Sequence, residues 1–203
     1  MVVDTAIMVR EFVRAPVRTG AIAPGSARLA SVAAPVPGGE PVVVEFGPGT
    51  GAITSVIQRR LDGRGTHIAI DANPRLAALV ARRWGPVFSV HDDAVNLRAV
   101  LERQGVERAD LIVSSLPWAS FSAGVQDRLL DAVVDGLADG GIFTTYAYAH
   151  ARVLPSAVRF RRRLPMYFEE VRTSPVVWGN FPPAVVYYAR RAGFSARSSR
   201  REG

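Results

Sequence analysis

The residues most suited to binding a ligand form the segment 45–51. In it a carboxylate, Glu45, precedes three glycines at alternate positions. Gly47, Gly49 and Gly51 permit a sharp backbone turn and the close approach of a ligand. A dinucleotide-binding loop has the spacing G-x-G-x-x-G and holds a pyrophosphate at the N-terminus of the next helix. The spacing here is G-x-G-x-G, and the acid before the turn suits a ligand that lacks phosphates and carries positive charge.

Regular elements on both sides would hold this loop in place. Residues 42–44 are β-branched and predict a buried strand, and apolar residues at helical spacing predict a helix over 52–61. A second predicted strand, 66–71, ends in Asp71, where an adjacent strand presents a carboxylate to ribose hydroxyls. Ala72 follows Asp71 and is included in the predicted site. Strand, glycine turn and helix predict the nucleotide-binding corner of a doubly wound α/β sheet.

The glycine loop, its preceding acid and Asp71 together resemble the Rossmann-type methyltransferases that use S-adenosyl-L-methionine (SAM). The resemblance implies SAM as the cofactor and a class I methyltransferase sheet of seven strands with the last one antiparallel. A third predicted strand, 87–90, comes before Asp92, Asp93 and Ala94, and Asp93-Ala94 is similar to the Asp-Ala pair of these enzymes. An acid there can accept a hydrogen bond from the adenine amine; alternatively, Asp92 and Asp93 cap the following helix.

A fourth predicted strand, 110–114, leads into a short polar and aromatic segment. Ligands of doubly wound sheets lie outside the carboxyl ends of the strands, at the switch in strand order, which strands 1 and 4 flank. We therefore expect Ser114, Ser115 and Leu116 to contact the cofactor. Pro117 is expected beside the substrate, and Trp118 is expected to face the reactive methyl group.

The remaining pattern predicts one domain with N-terminal helices. An amphipathic helix over 2–14 and a lid helix that Ser26 caps and that runs through Ala34 form a unit of residues 1–35. The first helix either packs on the domain core or lies in the membrane interface. The methyltransferase domain spans 36–191, and the Arg- and Ser-rich segment 192–203 is expected to be disordered. Within the domain, the patterns predict helices over 73–84, 97–104 and from 121 to the stop at 139–141, strands over 142–148 and 168–178, a turn at 179–183 and a returning strand over 184–189.

Composition limits the function classes. The chain has 203 residues, 48% of them hydrophobic, and contains no Cys, so disulfides and Cys-based metal sites are excluded. It has no apolar run of the ~20 residues that a membrane span needs. We expect no signal peptide and no metal, a cytoplasmic location, and peripheral association with the inner membrane. The net charge of +7, carried by Arg, suits an anionic membrane surface or nucleic acid.

The chain is similar over nearly its whole length to the bacterial phospholipid N-methyltransferases, which act at membranes. The resemblance implies methyl transfer from SAM to the amine of phosphatidylethanolamine. The segments that carry it are FVRAP (12–16), TGAIAP (19–24), SSLP (114–117), TY (145–146) and WGNFPPA (178–184).

The expected chemistry selects further candidate residues. Tyr146, Tyr148 and His150 alternate along the chain, so their side chains fall on one side. They are candidates to relay the proton that the amine must lose, and with Trp118 they form the predicted catalytic set. A core role is an equal alternative for each tyrosine. The arginines of the segment 158–163 present either a solvated helix face or a phosphate-binding patch, in which Arg159 and Arg162 are the expected substrate contacts.

Other functions are compatible with the same residues. The segment from Ser115 to Trp118 resembles the Asn-(Leu/Ile)-Pro-(Tyr/Phe) signature of ribosomal RNA adenine dimethylases, with Ser115 in place of the Asn. An RNA adenine methyltransferase is therefore the less favoured alternative. Methylation of a small-molecule amine and a SAM-binding role without methyl transfer also remain open.

Overall fold

The computed structural model describes residues 24–193, so the predicted helix over 2–14 and nearly all of the predicted tail lie outside the described residues. Within that range, strands and helices alternate as the sequence predicts for an α/β fold. In chain order they are α1 (Pro24–Ala33), β1 (Val42–Phe46), α2 (Ala52–Leu61), β2 (Thr66–Asp71), α3 (Pro74–Arg83), β3 (Val87–His91), α4 (Leu97–Arg103), β4 (Ala109–Ser114), α5 (Ala123–Gly136), β5 (Leu137–Tyr148), α6 (Pro155–Tyr167), β6 (Glu170–Thr173) and β7 (Ala184–Arg190).

The seven strands form one sheet in the order β3-β2-β1-β4-β5-β7-β6. Strands β1 to β5 are parallel, whereas β7 runs antiparallel to both of its neighbours. This confirms the predicted class I methyltransferase sheet. The strand order reverses between β1 and β4, which pair directly, so a crevice for a ligand is expected where their carboxyl ends meet.

Alternation along the strands divides the core into two layers. Val44 and Phe46 of β1 pack with α4, α5 and α6 on one face of the sheet. Val43 packs with α1 and α2 on the other face. Because side chains alternate in a strand, Glu45 shares the α2 face with Val43. Among residues 24–193, no helix is long and apolar enough to cross a membrane.

Local signals predicted several boundaries correctly. Helix α2 and strand β2 have the predicted bounds. Helix α3 begins with Pro74, and the Asn73 side chain caps it by accepting a hydrogen bond of 2.9 Å from the Arg75 N–H. Helix α1, in contrast, already includes Pro24 and Gly25, so Ser26 is a helical residue and is not its N-cap residue. The prediction of a cap at Ser26 is therefore wrong.

The end of α5 and the length of β6 also differ from the predictions. Helix α5 ends at Gly136, and residues 139–141 belong to β5, which begins at Leu137 with a register shift against β4. Gly136 allows close packing, since a Cβ there would lie 2.3 Å from Leu97 Cδ2. The predicted sixth strand over 168–178 shortens to Glu170–Thr173, followed by one isolated bridge at Val177. Pro175 lies between them and has no N–H to continue the ladder.

Candidate active site

The glycine loop after β1 bends through three residues in the left-handed region. Gly47, Gly49 and Gly51 have φ angles of 67°, 57° and 87°. Among the residues that the structure describes, a Cβ added at Gly49 would meet no atom closer than Gly47 O at 4.0 Å, so the space beside Gly49 is open there. A Cβ at Gly51 would lie 1.9 Å from the Trp84 ring. Gly49 thus leaves room for a ligand, whereas Gly51 is required for packing.

The loops after β1 and β4 lie against each other at the switch in strand order. Ser115 donates its N–H to Phe46 O at 2.9 Å, and a Cβ at Gly47 would lie 3.2 Å from Leu116 Cδ2. Ser115 and Leu116 are therefore at the predicted crevice. Ser114 is fully buried, and its hydroxyl accepts hydrogen bonds from the Leu116 N–H and the Trp118 indole. Ser114 supports the loop from below.

Asp71 joins the end of β2 to the glycine loop. Its carboxylate accepts hydrogen bonds from the Gly49 N–H at 3.3 Å and from the Asn73 N–H at 2.8 Å. Burial raises the pKa of Asp71 and nearby Glu45 adds to the rise, while the two backbone donors oppose it. Each carboxylate oxygen has a second lone pair, so Asp71 retains acceptor capacity for ribose hydroxyls. Ala72 is exposed beside it.

Glu45 lies beneath the loop and is fully buried. Its Oε2 accepts a hydrogen bond of 2.7 Å from the Thr54 hydroxyl of α2 and lies 3.2 Å from His67 Nε2. Gln58 Nε2 lies 2.9 Å from His67 Nδ1 and extends this network. Glu45 Oε1 has no hydrogen-bond partner in the described range. The predicted contact between Glu45 and the cofactor now depends on this one oxygen.

The acids after β3 have local partners. Asp92 accepts a hydrogen bond of 2.7 Å from the Asn96 side chain and contacts Arg103 at 2.5 Å, and these bonds, led by the one from Asn96, lower its pKa. Asp93 Oδ1 accepts from the Val95 N–H at 3.1 Å and caps a short 3-10 turn. The capping alternative is thus confirmed for Asp93. The predicted contact with adenine stays a prediction. It would involve the second carboxylate oxygen of Asp93 and buried Ala94.

Trp118 is buried in the core and does not face the crevice. Its ring stacks on Phe160 with centroids 4.5 Å apart and meets Phe121 and Phe143 edge-on. Gln126 donates to its carbonyl at 2.7 Å. The 3-10 turn after Pro117 directs the ring into the α4–α6 layer, so the prediction that Trp118 faces the methyl group is wrong.

Substitution of Trp118 should therefore act through stability. Trp118→Ala is expected to lower the free energy of unfolding by about 3–5 kcal/mol, because it removes a large buried ring. Trp118→Phe should cost less and should leave SAM affinity unchanged once corrected for the folded fraction. Denaturant unfolding and calorimetric SAM titration measure the two quantities. A lower SAM affinity in a fully folded Trp118→Phe protein would contradict this placement.

Tyr146, Tyr148 and His150 form a continuous aromatic wall on the opposite layer. The Tyr146 and Tyr148 rings meet edge-on at 5.8 Å, and Tyr148 stacks on exposed His150 at 5.9 Å. The Tyr146 hydroxyl lies near the Ser115 and Tyr148 side chains, both of which affect its pKa. Burial, followed by the neighbouring Tyr148, raises its pKa well above the usual value. Tyr146 is therefore a neutral group beside the crevice at physiological pH.

The arginines of α6 lie on the other side of the sheet from this wall. Arg159 donates to the Gln126 side chain at 3.3 Å and to Phe121 O at 3.4 Å. Arg163 pairs with Asp127. Arg162 is exposed on the outer surface of α6. Helix α6 packs with Phe160 and Leu164 in the layer opposite to the tyrosines, so the structure does not support Arg159 and Arg162 as holders of a lipid phosphate beside the amine.

Sequence reasoning missed several residues that shape the site. Thr54, Gln58 and His67 surround Glu45, and Trp84 fills the space over Gly51. The positions of Thr54 and Gln58, one helical turn apart on α2, were the available signal for the first group. Within residues 24–193 there is no cluster of three or more His, Cys, Asp or Glu residues that would bind a metal.

Comparison with known proteins agrees with this geometry. No protein-family model matches the chain. It is 35% identical over 155 residues to the ornithine lipid N-methyltransferase of Singulisphaera acidiphila, a match that covers 73% of this chain and 75% of that protein.

Solved structures share the fold at lower identity. A SAM-dependent O-methyltransferase from Thermotoga maritima has a TM-score of 0.59 and 18% identity, with 92% of this chain and 69% of that chain covered. The CurJ carbon methyltransferase has a TM-score of 0.62 and 19% identity. The match covers 83% of this chain and 54% of that one, so this chain spans about half of its length. A T. thermophilus 16S rRNA methyltransferase, solved with AdoMet and guanosine, has a TM-score of 0.58 and 19% identity. That match covers 86% of this chain and 45% of the other.

The residues present fit SAM. The space beside Gly49 is open, Asp71 has spare acceptors for hydroxyl groups, and the unsatisfied Glu45 Oε1 suits a cationic donor such as an ammonium group. These features lie where the strand order reverses, which is where this fold binds its ligands. Together with the 35% identity to a lipid-modifying enzyme, they show that the chain belongs to the bacterial lipid N-methyltransferases, which are SAM-dependent enzymes of the class I methyltransferase fold.

Proposed function

We propose that this enzyme methylates the amine of a membrane phospholipid, phosphatidylethanolamine or a related lipid amine, at the membrane surface. The observation that carries the proposal is the 35% identity to an ornithine lipid N-methyltransferase over most of both chains. Phosphatidylethanolamine and ornithine lipid both carry a primary amine in the headgroup. Ser115 at the place of the adenine dimethylase Asn argues against an RNA adenine as the acceptor.

The chain's own residues position the acceptor. SAM supplies an electrophilic methyl group. The amine nitrogen uses its lone pair to form the new N–C bond while the S–C bond breaks, so in-line positioning is the main contribution of the protein. The wall from Tyr146 to His150 flanks Ser115 at the crevice. Its aromatic faces suit an amine that gains positive charge with methylation.

The amine must lose a proton before or during transfer. Tyr146 cannot serve as the base near neutral pH, because its pKa is raised further from neutrality by burial. Its neutral hydroxyl can orient the nitrogen by accepting a hydrogen bond. His150 is exposed at the end of the wall and stacks on Tyr148. We propose that His150 passes the proton to solvent, since imidazole is the side chain best suited to proton transfer near neutral pH.

Tyr146→Phe is expected to lower kcat by about tenfold to a hundredfold, since the variant loses one positioning hydroxyl. The pH–rate profile should keep its shape because Tyr146 does not titrate in the working range. The matched control is Tyr188→Phe, which removes a hydroxyl that donates to Val32 O at 2.8 Å. A displaced alkaline limb in the Tyr146→Phe profile would contradict a positioning role and indicate that Tyr146 ionises.

Mass spectrometry of reaction products tests the proposed substrate. Purified enzyme and SAM are incubated in parallel with vesicles that contain phosphatidylethanolamine, with vesicles that contain ornithine lipid, and with ribosomal RNA. A mass increase of one or more methyl groups on phosphatidylethanolamine is the expected result. Methylation of ornithine lipid alone would reassign the lipid substrate, and methylation of RNA alone would overturn the proposal. Asp71→Ala, with weakened SAM binding, is the control for background transfer.

A further inference from the structure

Exposed apolar side chains concentrate at one edge of the molecule. In the range 24–193, four of the six large exposed apolar residues lie on two segments at the carboxyl edge of the sheet: the turn after β5 and the loop between β6 and β7. Two aromatic rings in that loop are the most conspicuous, with Phe181 98% exposed and Trp178 77% exposed. The full set is Phe88, Val153, Leu154, Met166, Trp178 and Phe181.

The loop of residues 177–183, which we term the β6–β7 tip, has a fixed framework. Asn180 is buried, and its side chain donates to Pro182 O at 2.6 Å. Val177 donates its N–H to Ala184 O at 2.7 Å, and Ala149 donates to Pro183 O at 2.8 Å. These bonds tie the tip to both β7 and the turn after β5. Trp178 and Phe181 are therefore displayed on an ordered base, which lowers the entropy cost of binding through them.

The charge around the tip is positive. Arg28 of α1 is exposed and adjoins the tip, since a Cβ at Gly179 would lie 3.6 Å from Arg28 Cδ. Arg152 lies in the turn after β5 and donates to the Tyr187 hydroxyl at 3.2 Å. Neither the segment 174–184 nor the segment 149–155 contains an Asp or Glu. Apolar and aromatic side chains flanked by arginines are the combination that binds the interfacial region of an anionic bilayer.

The tip and the cofactor crevice lie at the same edge. Strands β1 and β4 end there with the glycine loop and Ser115, and β7 begins there beside Tyr148. We infer that the β6–β7 tip and the adjoining Val153 and Leu154 insert into the interfacial region of an anionic lipid bilayer. This orients the crevice toward the headgroups. The inference deepens the proposed function, since it assumes that the substrate resides in that bilayer.

The composition of this surface favours lipid over RNA. Single-stranded nucleic acid binds to aromatic rings set in a basic groove that follows the phosphate backbone. Here the two rings lie in a segment whose other residues include Val177, Pro182 and Pro183, and the adjoining cation, Arg28, belongs to a helix and not to a groove of arginines. Trp is a preferred residue at the boundary between headgroups and acyl chains.

Vesicle co-sedimentation of the full chain tests the inference without any need for catalysis. Trp178→Ala/Phe181→Ala is compared with Phe88→Ala/Met166→Ala, which removes two exposed apolar side chains away from this edge. For vesicles rich in phosphatidylglycerol, the tip variant is expected to lose about tenfold or more in partition coefficient, and the control variant is expected to lose little. Thermal melting and SAM titration should match the wild type in both, since the substituted side chains are exposed.

Two further readouts separate the possible outcomes. Quenching of the Trp178 fluorescence by brominated lipid, judged against Trp178→Phe, supports insertion. Unchanged vesicle binding of the tip variant overturns the inference, as does a loss of RNA binding in its place.

Failure of the proposed function has a different signature. If the tip variant loses turnover on vesicles but keeps it on a short-chain, water-dispersed lipid amine, both proposals are supported. If the wild type binds vesicles through the tip but methylates no lipid, the surface assignment holds and the substrate proposal fails.

Discussion

Asp71→Ala is expected to weaken SAM binding by about tenfold to a hundredfold, the loss that corresponds to removing hydrogen bonds to a charged acceptor. Asp71 stands at the end of β2, beside the loop, and already accepts a hydrogen bond from the Gly49 N–H. The substitution thus removes both the proposed acceptor for the ribose hydroxyls and a restraint on the loop. Isothermal titration calorimetry with SAM measures the affinity.

The pH dependence of binding tests the same role more specifically. The ionised carboxylate is the better acceptor, and burial raises its pKa. SAM affinity should therefore be highest above that pKa and should fall as the pH is lowered through it, at a higher pH than for an ordinary Asp of pKa about 3.9. Protonation of Asp71 stabilises the fold relative to the ionised form, because the raised pKa means that the folded state binds this proton more tightly than the unfolded state. Loss of binding in this window is thus separable from unfolding.

Two control variants complete the Asp71 experiment. Asp71→Asn should bind SAM weakly at all pH values and should lack the acidic decline in affinity. Asp92→Asn tests the neighbouring strand end, where the carboxylate is engaged by Asn96 and Arg103, and should change affinity about twofold or less. A large loss in Asp92→Asn with a normal Asp71→Ala protein would reverse the roles of the two acids.

Local sequence signals predicted most of the scaffold. Residues 42–71 contain the first strand, the glycine turn, helix α2 and the acid at the end of the second strand, and each follows from near neighbours in the chain. The Asn73-Pro74 start of α3 is of the same kind. Such features depend on backbone conformation and short-range periodicity, which the sequence encodes directly.

The predictions fail where contacts with distant parts of the chain determine the position of a side chain. Trp118 follows the crevice loop immediately, yet Phe143 and Phe160, far along the sequence, form the pocket that buries its ring. The neighbours of Glu45 were likewise not predictable, since Thr54 and His67 engage one of its carboxylate oxygens, while its expected contact with the cofactor stays a prediction. Adjacency to a motif therefore did not determine which layer of the fold receives a side chain.

Substitution of the loop glycines is the second change with a large expected effect. Variants at Gly49 and Gly51 should lose function for different reasons. Gly49→Ala places a methyl group in the open space beside the loop, at a φ of 57°, where left-handed backbone costs about 1–2 kcal/mol for a non-glycine residue. Its stability should fall modestly, while SAM affinity should fall by about a hundredfold, because the methyl group occupies space that the cofactor requires.

Gly51→Ala should instead damage the fold. Its Cβ would lie 1.9 Å from the Trp84 ring, so the ring must move in addition to the backbone strain at φ of 87°. We expect a loss of about 3–5 kcal/mol in the free energy of unfolding. Trp84→Ala in the same chain should recover part of the loss relative to the sum of the single changes, because the two side chains compete for one space.

Denaturant unfolding and SAM titration of the same four proteins distinguish the two mechanisms. Strict additivity of Gly51→Ala and Trp84→Ala would show that the ring does not limit the loop. A Gly49→Ala protein that binds SAM normally would remove the cofactor from the loop, since no atom of residues 24–193 crowds that position and only the backbone angle would then favour glycine. The two glycine variants therefore test whether the glycines have different roles. Gly49 would leave space for the ligand, and Gly51 would leave space for the Trp84 ring.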